Sequence, residues 1–325
     1  DIRSPGRGLQ PNRLVELVGQ PAKRSLQPGD MLFPSDVGQS VTKPRDYSFD
    51  RPVGIPVRYH DVNSLRSQSN FDFLEFHLSY KDLDEDESAF FAESLDLDLI
   101  VHSPDLFEND HLLDLSAPDD AYRRTSIDHL GRVVDLTRRL AEWFNPVNHP
   151  RIVVSVGGFT QNSYLDHHKR QSRYEAVLDS LDRLDLSDVE ILPQTMPPFP
   201  WYFGGQQFMN IFMDPWEIAE FCELHDYRVC FDTSHSKLAC THHHWSFSEF
   251  VATVGPHVGH LHLGDASGVD GEGLQILDGE IDWPMLSREL RSSAPDASFI
   301  PEIWQGHKNG GEGFWRALEL LEEYF

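Results

Sequence analysis

The sequence predicts an α/β protein whose main domain is a (β/α)8 TIM barrel, and three observations support this prediction. First, eight short runs of β-branched and aromatic residues alternate with longer amphipathic stretches between residues 53 and 325. Strands separated by helices pair in parallel, and eight such units close into a barrel. Second, this segment has the length that a barrel of about 250 residues requires. Third, no run is followed by the GxGxxG fingerprint that would favour an open doubly wound sheet.

We number the strand candidates one to eight in chain order. They are GIPVRYHDV from Gly54, FLEFHLS from Phe73, LDLIVHS from Leu97, RIVVSVGG from Arg151, VEILPQT from Val189, RVCFDTSH from Arg228, VGHLHLGD from Val258 and SFIPEIW from Ser298. The clearest helix candidates are residues 120–144, 165–184, 214–225, 282–293 and 312–324. Asp214 precedes a proline at the first helical position, and Asp282 is placed to cap a helix that carries Leu286 and Leu290.

The first 52 residues differ from the barrel segment. Residues 1–40 are rich in Gly and Pro and hold too few apolar side chains for a core of their own, so we expect them to fold only against a neighbour. Residues 41–52 are polar and contain proline, which predicts a linker to the barrel at 53–325. The chain begins without Met, and we expect upstream sequence to be missing.

Composition excludes several classes of partner. The chain holds 27 Lys plus Arg against 53 Asp plus Glu, a net charge of −26, which repels nucleic acid and anionic membranes. No apolar run approaches the ~18 residues of a membrane span, and the start of the chain lacks signal-peptide features. Cys222, Cys230 and Cys240 lack CxxC spacing and are expected to be buried thiols in a reducing compartment. We therefore expect a cytoplasmic protein.

Polar residues stand at the predicted carboxyl ends of the strands, where barrel enzymes place their reacting groups. These residues are His102 on strand three, Gln194 on five, Asp232 and His235 on six, His260 and His262 on seven, and Glu302 on eight. Carboxylates and imidazoles from adjacent strands supply the oxygen and nitrogen ligands of a divalent metal and are costly to bury otherwise. The alternative for each residue alone is a hydrogen-bonded core position.

Three of these strand ends resemble a known family. FDTSH, then HLHLGD with a Gly-rich turn ending in GEIDW, and PEIW resemble the last three strands of the xylose isomerase-like TIM barrels, over roughly residues 53–325. That superfamily contains sugar isomerases, sugar epimerases and endonuclease IV. The resemblance implies that Asp232, His262 and Glu302 hold one divalent ion (Mn, Zn, Co or Fe), with Gln194 or His235 completing its ligand shell.

Two departures from the family pattern restrict the chemistry. Gln194 stands where ketohexose epimerases carry a metal-binding Glu that abstracts a proton, and an amide cannot act as a general base. The replacement base is expected among Glu302, Glu75, His235 and His77. Ser155 stands where endonuclease IV needs a His, which together with the charge argues against DNA repair.

A second resemblance covers the beginning of the chain. RSPGRGLQPNRLVELVGQPAKRSLQPGDML is similar to the latter part of the SAF, or antifreeze-like, domain of sialic acid synthases. The resemblance implies a fused upstream synthase domain and a contact of Arg3 or Arg7 with an acidic sugar, with surface solvation as the alternative for both arginines.

Further residues are assigned to substrate binding. They are His102, His260 and Lys237, together with Trp201 or Phe203 in an aromatic loop that suits either a sugar face or a subunit contact in a homo-oligomer. The run from His242 to His244 near Cys240 is either a zinc site or an exposed His cluster. Asp270 and Glu272, in the loop after strand seven, either approach the metal or solvate the loop.

The leading functional hypothesis is a metal-dependent sugar isomerase or epimerase in the synthesis of a sialic acid-like sugar, with a small sugar as substrate. The alternatives are a sugar-binding or accessory domain without catalysis and a metal-assisted hydrolase.

Overall fold

A computed structural model describes residues 14–30, 32, 34–37, 42–144, 149–202 and 205–325. Eight parallel strands form its centre, one at each predicted run, which confirms all eight strand candidates. They are β1 (Gly54–Val57), β2 (Phe73–His77), β3 (Asp98–His102), β4 (Arg151–Val154), β5 (Glu190–Pro193), β6 (Val229–Asp232), β7 (Val258–Leu263) and β8 (Ser298–Pro301).

The eight strands close on themselves. Hydrogen-bonded ladders join β1 to β5 in chain order and join β6, β7 and β8 in a second sheet. Parallel bridges between Gln194 and Cys230 and between Val53 and Phe299 connect the two sheets at both seams. The architecture is therefore the predicted barrel.

Eight helices accompany the strands in the described part of the barrel. They are α1 (Val62–Arg66), α2 (Asp120–Ala141), α3 (His167–Leu181), α4 (Pro215–His225), α5 (Thr233–His243), α6 (Phe247–Val254), α7 (Trp283–Ser293) and α8 (Lys308–Leu321). Single 3-10 turns lie at Pro34–Val37, Tyr80–Asp84, Glu87–Ala89, Glu108–Asp110 and Gly255–His257, and a short helix at Leu14–Leu17. Paired short strands lie at Leu106–Phe107 with His111–Leu112, Phe159–Thr160 with Phe208–Met209, Trp201–Tyr202 with Gly205–Gln206, and Asp265–Ser267 with Gly271–Leu274.

The five predicted helices are confirmed with small shifts at their ends. The helix expected from residue 165 begins at His167, because Asp166 caps it by accepting the backbone N–H of Lys169. The last helix has left-handed backbone at residues 309–311, so its regular part starts near the predicted position. Sequence reasoning missed α1, α5 and α6. The helix α5 escaped detection because it begins at the residue after β6 and Asp232 itself is its cap.

The interior of the barrel is apolar at one end and polar at the other. Side chains alternate along a strand, so Phe73, Glu75 and His77 of β2 all face inward. Toward the amino ends of the strands lies a buried apolar layer formed by Phe73, Ile100, Val153, Leu192, Cys230 and Ile300. The polar positions nearer the carboxyl ends form the candidate site, while a larger apolar core packs the strands against the helices.

The expected linker lies against the amino-terminal end of the barrel. Thr42 donates a hydrogen bond to Glu319 at 2.7 Å, and the hydroxyl of Tyr47 donates to the carbonyl of Trp315 at 3.2 Å. The buried Arg51 donates to the carbonyl of Ala294 at 3.1 Å. This segment therefore covers the face of the barrel opposite the candidate site.

Two further expectations concern regions away from the strands. Cys222, Cys230 and Cys240 are free and buried, as predicted. Arg3 and Arg7 lie outside the described residues, so the resemblance of residues 1–40 to a SAF domain remains a prediction. No helix in the described ranges combines the length and apolar character of a membrane span.

Candidate active site and metal centre

A cavity of about 390 Å³ opens at the carboxyl ends of the strands. Its walls come from the ends of β1, β2, β3, β5 and β8, from α5 and from the loop after β7. The lining residues are Arg58, His77, Leu78, Ser79, His102, Ser103, Pro104, Asp105, Gln194, Met196, His235, Glu272 and Glu302. A volume of this order accommodates a small polar ligand.

Beneath the cavity, one buried carboxylate holds two imidazoles of β7. The two oxygens of Glu75 lie 2.7 Å from Nε2 of His260 and 2.9 Å from Nε2 of His262. The other ring nitrogen of His260 lies 2.8 Å from the hydroxyl of Ser298. Glu75, His260 and His262 have no exposed surface. Since Nε2 of His262 faces Glu75, the other ring nitrogen of His262, Nδ1, is the one available on the cavity side.

These contacts shift the pKa values of the three groups. Burial alone would raise the pKa of Glu75, but His262 and His260 outweigh it and hold that pKa well below its usual range. Burial lowers the pKa of His260 to about 4. Burial also opposes the charge on His262, yet Cys230, Glu302 and Glu75 around it raise its pKa well above the ordinary value. The pair that carries charge is therefore Glu75 with His262, and His260 is neutral.

Three ligand atoms converge on the cavity side of this layer. Nδ1 of His262 contacts the carboxylate of Glu302. His102, His262 and Glu302 each offer one ligand atom, and these atoms lie within 4.8 Å of one another. Imidazole nitrogens with carboxylate oxygen are the donors of Mn, Zn, Co and Fe sites. The residues present therefore fit a divalent metal ion.

Gln194 lies in the middle of this donor set. Its Nε2 donates to Oδ2 of Asp232 at 3.2 Å and lies 3.2 Å from Nδ1 of His262, while its Oε1 is 3.3 Å from Nε2 of His102. Both Gln194 and Asp232 are buried. The amide thus joins Asp232, on β6, to the two imidazoles, and a rotation of the amide would turn its oxygen toward the same space.

Asp232 is a buried carboxylate with no cationic Lys or Arg partner among the described residues. Burial is the main reason that its pKa rises to about 7, with His235 opposing the rise and Glu302 adding to it. Its Oδ1 accepts the backbone N–H of His235 at 2.9 Å, which caps α5. A cation beside Asp232 and Glu302 would offset the cost of burying two carboxylates.

His235 stands at the mouth of the site. Its Nδ1 lies 3.0 Å from the carbonyl of Thr195 and 3.3 Å from Oδ2 of Asp232, and its Nε2 lies 3.7 Å from Glu272. Burial would lower the pKa of His235, but Asp232 and Glu272 outweigh it and raise the pKa. The prediction that Asp232 and His235 share a site required a turn after the strand, and the helix that starts at Thr233 provides it.

The structure separates the predicted site residues into three groups. His77, His102, Gln194, His235 and Glu302 line the cavity, and so does Glu272. Asp232 and His262 lie directly behind them, whereas Glu75 and His260 are buried deeper and are absent from the cavity wall. Lys237 lies on α5 and is also absent from the wall.

The remaining predicted residues lie elsewhere or outside the described part. The side chain of Trp201 and all of Phe203 are not described. His242 packs on Phe199, and His243 stacks on the ring of Trp245 with centroids 4.4 Å apart. Neither joins Cys240 in a three-donor group among the described residues.

Sequence reasoning missed the two charged lining residues Arg58 and Asp105. Arg58 follows β1 directly, and Asp105 follows β3 by three residues. Both satisfy the rule that polar residues just past the strand ends face the site, which would have found them. Burial raises the pKa of Asp105 above its ordinary value.

The barrel is similar in sequence to a known protein family and in structure to several solved proteins. Residues 65–324 match the family described as xylose isomerase-like TIM barrel. A D-tagatose 3-epimerase-like protein superposes with a TM-score of 0.56 at 18% identity, covering 84% of this chain and 96% of that one. A D-allulose 3-epimerase from Methylomonas sp. superposes with a TM-score of 0.57 at 11% identity, covering 87% of this chain and 100% of that one.

A 3-keto-D-glucoside 4-epimerase from E. coli gives a TM-score of 0.55 at 13% identity, covering 84% of this chain and 99% of that one. The curated proteins contain no match to the chain. At these identities the neighbours show the fold, and their names agree with the expectation of an enzyme.

Proposed function

Because the chain belongs to the xylose isomerase-like TIM barrel family, we propose that it is a divalent-metal-dependent sugar isomerase or epimerase. The observation that carries this proposal is a set of three donors at a cavity of about 390 Å³, in which Glu302 lines the wall and His262 and Asp232 lie directly behind it. His102, first assigned to substrate binding, is a further candidate ligand because its nitrogen belongs to the same three-donor group as His262 and Glu302.

Two of the proposed ligands, His262 and Asp232, are oriented by contacts with neighbouring residues. Glu75 holds His262 by Nε2, the backbone N–H of His235 holds Asp232, and Gln194 bridges Asp232 to His262. Carboxylates that orient ligating imidazoles raise both metal affinity and ligand basicity. When bound, a divalent ion polarises a carbonyl or hydroxyl pair of the sugar and stabilises the negative charge that forms as a proton moves.

Proton transfer requires a group that lines the cavity. Gln194 cannot supply it, and Glu75 is enclosed by His260 and His262. Of the candidates from the sequence, His235, His77 and Glu302 reach the cavity wall. We assign the transfer of the substrate proton to Nε2 of His235. The other ring nitrogen, Nδ1, is held at the carbonyl of Thr195, whereas Nε2 lies on the side of Glu272, which also lines the cavity. His77 is the second candidate.

The sugar is proposed to be a precursor of a sialic acid-like molecule, and the support is the SAF-like motif of residues 1–40. Because Gln194 cannot act as a general base, a second candidate function is a sugar-binding or accessory domain of a fused synthase that has lost catalysis. Metal-assisted hydrolysis is the third candidate function, because a metal ion held by the same residues would activate a water molecule.

The test is exchange of deuterium from heavy water into ketoses and N-acetylated hexosamines, with and without added metal. Wild type should exchange one carbon-bound hydrogen only with metal present, and Asp232→Ala with Glu302→Ala should abolish both exchange and the single bound ion. Glu93→Ala, at an exposed position, is the control. Sugar binding without exchange on any probe would favour the binding domain. Unchanged metal stoichiometry in the double variant would rule out the proposed ligands.

A further inference from the structure

Arg58 is the one basic Lys or Arg side chain among the residues that line the cavity. It follows β1 at the rim, and its backbone N–H donates to Oδ1 of Asp61 at 2.7 Å, which fixes the turn into α1. The residue is half-buried. The backbone of Arg58 is thus held in place at the cavity that the residue lines.

The guanidinium of Arg58 has no partner in the described part of the chain. The other described arginines each donate a hydrogen bond, form an ion pair or do both. Examples without an ion pair are Arg66, which donates to Asn63 at 2.9 Å, and Arg173, which donates to the carbonyl of Ser116 at 2.6 Å. In a chain with 53 acidic and 27 basic side chains, Arg58 is exceptional among the described arginines because its guanidinium makes neither kind of contact.

Acidic groups of the same cavity do not pair with Arg58. Glu302 directly follows β8, the neighbour of β1 in the barrel, but its carboxylate contacts His262, which is on β7. Glu272 lies beside His235 at 3.7 Å. Arg58 therefore places a cationic group at the end of β1 that forms no ion pair with Asp105, Glu272 or Glu302, the described acidic residues of the lining. Five N–H donors on one planar group are suited to a carboxylate or a phosphate.

We propose that Arg58 binds an anionic group of the substrate, a carboxylate or a phosphate. The protein then selects acidic or phosphorylated sugars over neutral ones. The identification of the ligand as a sugar rests on the proposed function, whereas the anion site rests on Arg58 and the cavity. One charge-assisted, bidentate contact would supply the selectivity.

The experiment measures binding by titration calorimetry with metal-supplemented protein. The probes are D-fructose, D-fructose 6-phosphate and D-fructuronate, which share a ketose and differ in the charged end. Wild type should bind at least one anionic probe more tightly than fructose, and the better of the two identifies the anion. Arg58→Gln should weaken that probe by roughly 10- to 100-fold and change fructose by less than about threefold.

Two further variants separate charge at this site from other effects. Arg124→Gln removes the same charge from an exposed position on α2, where the guanidinium donates only to a backbone carbonyl, and it should bind every probe like wild type. Arg58→Lys should recover part of the affinity, because it restores charge without the planar fork. Equal melting temperatures of wild type and Arg58→Gln would show that folding is intact.

The outcomes distinguish this inference from the proposed function. Wild type that binds no anionic probe more tightly than fructose overturns the anion site, and so does an Arg58→Gln variant that keeps full anion affinity. Anion binding that depends on Arg58, without deuterium exchange on any probe, supports the anion site while the proposed isomerase or epimerase activity fails.

Discussion

Glu75→Gln is the most informative single substitution at the candidate site. The amide has nearly the volume of the carboxylate but carries no charge, and its nitrogen can only donate. Glu75 now faces Nε2 of His260 at 2.7 Å and Nε2 of His262 at 2.9 Å with no exposed surface. In the variant only one oxygen remains to accept from the two imidazoles, and the charge on His262 loses one of its two carboxylate partners and keeps only Glu302.

The expected loss of stability follows from this geometry. Removing one partner of a buried ion pair costs about 3 to 5 kcal/mol, and the retained amide oxygen places this case near the lower end. A loss of about 3 kcal/mol corresponds to a fall of about 4 to 5 °C in Tm, because the unfolding entropy scales with the 325 residues of the chain. Metal affinity should fall about 10- to 100-fold, because the imidazole of His262 is no longer held.

The sign of the pH dependence is fixed by the lowered pKa of Glu75. A carboxyl whose folded pKa lies below its unfolded value of about 4.3 stabilises the protein above that value, and the contribution is lost as pH falls through the folded pKa. The difference between wild type and variant should therefore be full at pH 7 and should shrink in acid.

The assay is thermal or denaturant unfolding of metal-free protein at pH 7, followed by metal titration of both proteins. Glu93→Gln makes the same chemical change at an exposed position and should leave Tm within about 1 °C. A Glu75→Gln variant with the Tm and metal affinity of wild type would refute the role assigned to the Glu75 carboxylate.

Three other predictions test the remaining assignments. Gln194→Glu adds a carboxylate among Asp232, His262 and His102, so it should tighten metal binding and change the pH profile of any exchange activity; a variant identical to wild type in both would contradict the central position of Gln194. Deletion of residues 1–40 should leave a barrel that unfolds cooperatively, and loss of the calorimetric transition would show that they belong to its core. Burial lowers the pKa of His243 to about 4, so its neutral form favours folding above pH 6.5 and this contribution is lost as pH falls toward 4. His243→Phe should therefore lose less Tm between pH 7 and pH 5 than wild type, with the exposed His168→Phe as control, and equal losses would count against it.

The fold was predictable because its signal is local. Each strand is a short β-branched or aromatic run, and the run that contains Val229 and Phe231 needs no distant residue to be recognised. Asp214 and Asp282 marked helix starts by the same logic, since both accept backbone N–H groups of the first turn. The helix Thr233–His243 escaped detection because a strand residue, Asp232, is also its cap and no loop separates the two elements.

The sequence by itself determined the eight strands, the acidic character of the chain and the set of polar residues at the strand ends. Only the tertiary structure decided what each of those residues contacts, because barrel closure brings together β2, β5, β7 and β8, which are far apart in the chain. It turned Glu75 from a candidate base into the carboxylate that holds His260 and His262, and it left Arg58 without a partner. Pairing between side chains depends on distances across the barrel, and these distances cannot be derived from the spacing of residues along one strand.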